Sequence, residues 1–221
     1  VLFDLDGTLL DTVDAIAAAL NQALTERALA PLAVAEVRVM IGRGGPVLIE
    51  RALRRLGAVL DQHAQATLLE RYFLHYEHIE CGAEHSARIY PGVGECLRQL
   101  RRLQLPLAVV TNKQQQLASG LLERLALSEY IDVLIGGDSC ERRKPDPQPL
   151  QVACRALGVD SAQALMIGDS VNDVLAARAA GMPVVCVPYG YNEGNDPRAL
   201  PCDALIETLA DLPALLTHAT L

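Results

Sequence analysis

Asp4 and Asp6 stand two residues apart, where an apolar run over residues 1–5 meets the turn signal Asp6-Gly7. The strand period of two points both carboxylates to one side. Like charges that close raise one pKa and leave the other group ionised, so one can attack while its neighbour handles a proton. Together they also make an oxygen seat for a hard cation such as Mg2+. Without a cation, a carboxylate wedged between Phe3 and Leu5 would carry a desolvation cost with nothing to offset it.

Other polar residues fall at comparable places. Thr111 and Asn112 close an apolar run over 107–110, and Asp169 follows Gly168 at the end of another over 164–167. Asp173, four residues on, can face the same side of the helix that begins there. Lys144 sits in a loop stiffened by Pro145, Pro147 and Pro149, and is one of only two lysines, with Lys113. An amine held there could balance the carboxylates and grip a phosphate.

These residues are far apart in sequence, so a scaffold must bring them together. After residue 88, apolar strands at 107–110, 132–135, 164–167 and 184–187 alternate with helices at 92–103, 114–126, up to 157, and 171–180. Such alternation predicts an α/β fold, a parallel sheet with helices on both faces and ligands at the carboxyl ends of its strands. Residues 15–84 read differently. Asp11 or Thr12 is placed to cap a helix running to about residue 29, a second runs over 34–41, and Pro46 suits the first turn of a third. A fourth carries Leu68, Leu69, Tyr72, Phe73 and Tyr76. This all-helical insertion is expected to form a small core of its own.

Composition bounds the partners. The chain is 51% hydrophobic and carries a net charge of −8 with no basic run, which argues against nucleic acid as the partner. No stretch is long and apolar enough to span a bilayer. Six scattered cysteines without a CxxC pair read as free thiols of a reducing cytoplasm. Five histidines (His63, His75, His78, His85, His218) show no zinc-ligand spacing and are expected at the surface or in cap packing. The chain opens mid-strand without an initiator Met, so further residues are expected before Val1.

The order Asp4-x-Asp6-Gly7-Thr8, Thr111-Asn112, Lys144-Pro145 and Gly168-Asp169-Ser170-x-x-Asp173 resembles the haloacid dehalogenase superfamily of phosphohydrolases over nearly the whole chain. That resemblance implies a Rossmann-like core at 1–14 and 85–221, with a helical cap at 15–84. It implies Asp4 as nucleophile and Asp6 as the group that protonates the leaving oxygen and then deprotonates water. Mg2+ would be held by the Asp4 carboxylate, the Asp6 carbonyl and Asp169, with Asp173 steadying the site. Thr111, the Asn112 amide and Lys144 would cradle the phosphoryl oxygens.

Within that family, Asp6 favours phosphoryl transfer, because a departing halide needs no proton. The cap contains no lysine, so a Schiff-base chemistry through it is excluded. The stretches at 39–44 and 189–194 resemble those of bacterial phosphoglycolate phosphatases, which implies a small phosphorylated metabolite as substrate and a monomer or homodimer. Arg43, beside glycines ahead of a helix, could pair with a substrate carboxylate. A β-phosphoglucomutase-like enzyme, another sugar-phosphate phosphatase and a catalytically silent binding protein are the alternatives on the same scaffold.

Overall fold

The first strand, β1 (Leu2–Phe3), is short and wholly buried, and the chain turns back on itself immediately after it. The computed structural model describes residues 1–82 and 87–218. From the turn, β2 (Leu10–Asp11) leads into four helices: α1 (Val13–Glu26), α2 (Val34–Arg38), α3 (Gly45–Leu56) and α4 (Gln62–Cys81). The chain returns through β3 (Arg88–Ile89), which pairs antiparallel with β2. Two-residue strands show no period, so this ribbon at the two crossings into the insertion is invisible in the sequence. The expected join at 84/85, and His85 with it, lies outside the described residues.

The rest alternates as expected: α5 (Val93–Arg102), β4 (Ala108–Val110), α6 (Gln115–Arg124), β5 (Val133–Ile135), α7 (Gln148–Leu157), β6 (Met166–Gly168), α8 (Val171–Ala179) and β7 (Val184–Cys186). Two further elements, β8 (Ala204–Leu205) and α9 (Leu212–His218), complete it. Six strands form one sheet in the order β5-β4-β1-β6-β7-β8, every pair parallel. Alternate residues enter different cores. Phe3, Val109, Ile167 and Val185 lie in one buried cluster, and Leu2, Ala108, Val110, Met166 and Val184 in the other. Helices cover both faces, which is why these strands read as unbroken apolar runs.

The helical insertion departs from expectation in its packing. Leu20, Leu24, Leu48, Leu53, Leu68 and Tyr72 belong to the same cluster as Phe3 and Leu97, so the insertion shares its core with one face of the sheet. The start of α1 is held only partly as expected: Asp11 Oδ1 accepts from the Val13 N–H at 3.4 Å. The Thr12 hydroxyl donates to Asp6 Oδ1 (2.7 Å) and does not cap the helix. The hydroxyl of Tyr191, remote in sequence, accepts from the Thr12 and Val13 N–H groups at 2.8 and 3.0 Å. It donates in turn to Asp11 Oδ1.

Candidate active site

β1 lies between β4 and β6, so the residues that follow these three strands meet at one edge of the sheet. Asp4, Thr111 and Asp169 are those residues. One carboxylate oxygen from each of Asp4, Asp169 and Asp173 lies within 4.8 Å of the others. Lys144 Nζ reaches into the group, 2.9 Å from Asp4 Oδ1 and 2.6 Å from Asp173 Oδ1. Asp173 Oδ2 accepts from the Ser170 hydroxyl (2.7 Å) and from the Ser170 and Asp169 N–H groups, so this carboxylate is saturated by the first turn of α8. Asp169 accepts from the Thr8 hydroxyl (2.7 Å) and the Tyr191 N–H (2.6 Å).

Fully ionised, the three carboxylates outnumber the single ammonium, and burial resists that state. Burial pushes Asp4 up to about 7, against the pull of Lys144. Burial, reinforced by Asp173 and Asp4, pushes Asp169 well above the carboxylate range. Burial works against the Lys144 ammonium too, but Asp173 and Asp4 outweigh it and hold the amine at about 12. Three carboxylates thus face one ammonium in a nearly dry site. A divalent cation with a preference for oxygen ligands fits that donor set and cancels the surplus charge.

The backbone leaves room for these acids by omission. A Cβ at Gly190, or at Gly7 with its φ of +90°, would overlap the Asp169 carboxylate. Gly190→Ala should displace that carboxylate and weaken the affinity for a divalent cation about 10–100-fold. Titrating the melting temperature with Mg2+ reads the loss.

Asp6 has a different cation from Asp4. Lys113 Nζ lies 3.0 and 3.1 Å from its two oxygens, and the Tyr76 ring of α4 covers that amine at 4.2 Å. Thr111 is buried, its hydroxyl accepting from the Lys113 N–H at 3.2 Å. The Asn112 side chain donates to Gly42 O and to Lys144 O, both at 2.9 Å, tying the insertion and the lysine loop to the end of β4. Arg43 meets a carboxylate of the chain itself. Its Nε donates to Glu193 Oε1 at 2.9 Å, an oxygen that Arg51 also reaches at 2.9 Å. The carboxylate it answers belongs to this chain, because the segment at 189–194 folds over the insertion.

A family model described as haloacid dehalogenase-like hydrolase matches residues 1–187. The chain belongs to that family. It is 44% identical over its whole length to the protein named "Phosphoglycolate phosphatase, plasmid" of Cupriavidus necator, spanning 94% of that protein. It is 42% identical over its whole length to the phosphoglycolate phosphatase of Nitrosospira multiformis, spanning 96% of it. The crystal structure of a predicted phosphoglycolate phosphatase from Haemophilus somnus 129pt matches with a TM-score of 0.90 at 30% identity, over 97% of this chain and 96% of that one.

For this member of the haloacid dehalogenase-like hydrolases, the structure brings Asp4, Lys144, Asp169 and Asp173 into contact and sets Asp6 beside them on its own lysine. Sequence reasoning missed the parts played by Thr8, Lys113, Tyr191 and Glu193. Each lay next to a signal: Thr8 closes the first motif, Tyr191 and Glu193 fall in the stretch at 189–194, and Lys113 directly follows Thr111-Asn112 and is one of only two lysines.

Proposed function

We propose that this hydrolase is a Mg2+-dependent phosphatase that converts 2-phosphoglycolate and water to glycolate and phosphate. The observation that carries the reaction is the separation of two neighbouring carboxylates onto different cations, Asp4 on Lys144 and Asp6 on Lys113. The substrate rests on full-length relatives that bear the name phosphoglycolate phosphatase. In this reading residues 1–14 and 85–221 are the catalytic core, and 15–84 a cap that closes over a small phosphorylated metabolite. No helix among the described residues is long and apolar enough to cross a membrane, and we place the enzyme in the cytoplasm.

The Asp4 carboxylate attacks phosphorus, and the bond from phosphorus to the ester oxygen breaks. Asp6 donates a proton to that oxygen, so glycolate leaves as the alcohol. Asp6 then takes a proton from water as the water attacks the aspartyl phosphate. The bond from phosphorus to Asp4 breaks, and phosphate is released. Lys144, with Thr111 and the Asn112 N–H, holds the phosphoryl oxygens while both displacements occur in line. Mg2+, held by Asp4, Asp169 and the Asp6 carbonyl and steadied by Asp173, would supply charge neutralisation at the transferring group.

Phosphate release from 2-phosphoglycolate and from hexose phosphates, measured with Mg2+ and with EDTA, tests this reading. The expected result is Mg2+-dependent release, fastest from 2-phosphoglycolate. Faster release from hexose phosphates, or their interconversion without release, would move the assignment to a sugar-phosphate enzyme. No turnover of any ester would leave a silent binding protein.

A further inference from the structure

We propose that Lys113 reads the substrate carboxylate, and that in doing so it releases Asp6 for proton transfer. The inference rests on the phosphoglycolate reading above. The other cations near the site have partners that can stay in place throughout the reaction. Lys144 bridges Asp4 and Asp173, while Arg43 and Arg51 share Glu193. Arg38 donates to the Tyr189 and Gly190 carbonyls and lies over the Tyr191 ring. Lys113 differs because its partner is Asp6, the one acid that must leave its resting contacts to reach the ester oxygen.

The distances suit an exchange. A proton donor works at about 3 Å from the atom it protonates. In 2-phosphoglycolate one methylene separates the ester oxygen from the carboxyl carbon, so the carboxylate oxygens lie roughly 3 Å from the ester oxygen. Lys113 Nζ, 3.0 Å from Asp6, is therefore within reach of that carboxylate once Asp6 addresses the ester oxygen. The Tyr76 ring shields the amine, and its side chain is only 6% exposed, so a replacement anion meets little competition from water. The arriving carboxylate takes the ammonium, and Asp6, no longer paired, takes up a proton from solvent and turns to deliver it to the leaving group. An ester without a carboxylate leaves Asp6 bound to Lys113. Selectivity then comes from the resting state as well as from binding.

The test compares 2-phosphoglycolate with ethyl phosphate, which keeps the ester oxygen and loses the carboxylate. For wild type, Lys113→Met and Lys113→Arg, the ratio of the two kcat/KM values is the readout. The wild-type ratio should strongly favour 2-phosphoglycolate. Lys113→Met should lower it about 100-fold, and Lys113→Arg should restore a large part of it by keeping the charge. Should methionine at 113 prevent folding, Lys113→Gln carries the same comparison. A variant that loses both activities equally, so that the ratio persists, overturns the inference and leaves Lys113 as a positioning residue for Asp6. A wild-type enzyme with no preference for 2-phosphoglycolate overturns the substrate assignment itself, a failure visible before any variant is made.

Discussion

Asp4→Asn should release phosphate from 2-phosphoglycolate at least about 10⁴-fold more slowly than wild type, with the fold intact. Asparagine has nearly the same shape as aspartate, and its oxygen can still accept from the Leu5 N–H, which lies 2.7 Å from Asp4 Oδ1. Lys144 keeps Asp173 at 2.6 Å. What disappears is the oxygen proposed as nucleophile, for which an amide is no substitute. Stability should move the other way. Asp4 is one of three crowded acids, and burial already pushes it up to about 7. Neutralising it removes like-charge repulsion, so in EDTA the variant should melt no lower than wild type. Acid-quenched enzyme exposed to labelled substrate should carry phosphate in wild type and none in Asp4→Asn. Turnover that survives the substitution would mean that Asp4 is not the nucleophile or that the activity comes from another protein.

Lys144→Met should destabilise the metal-free protein by about 3–5 kcal/mol, because it strips the shared cation from buried carboxylates and leaves them facing each other. The Lys144 side chain is 1% exposed, so water cannot take over its role. The loss should depend on pH. The folded-state pKa of Asp4 is already raised to about 7, and removing Lys144 raises it further. A carboxyl raised in the folded state costs nothing below its unfolded pKa near 4, and its penalty grows as pH rises through the folded value. The difference between variant and wild type should therefore be small at pH 5, open above about pH 7 where wild-type Asp4 has ionised, be measurable at pH 8 and reach its full size only at higher pH. Mg2+ should stabilise each protein by about 2.7 kcal/mol when its concentration is 100 times that protein's dissociation constant. Urea unfolding at the two pH values, with and without Mg2+, measures all of this. A variant as stable as wild type at pH 8 in EDTA would show that Lys144 does not neutralise the cluster.

The sequence by itself determined five of the six strands of the sheet and the places where its chemistry collects. Apolar runs alternating with helices dictate a parallel sheet covered on both faces, and a polar residue ending such a run must emerge at the carboxyl edge. Asp4, Thr111 and Asp169 were legible for that reason, and Lys144 because its loop is stiffened by prolines. Contacts that span the chain were decided only by the tertiary structure. No local pattern shows that Tyr191 caps α1, that Glu193 captures Arg43, or that Lys113 lies against Asp6, since each joins residues more than 100 positions apart. Nor could helical periodicity reveal that the insertion shares its core with the sheet. A stripe of apolar residues records that a face is buried, while what buries it depends on how distant parts of the chain pack.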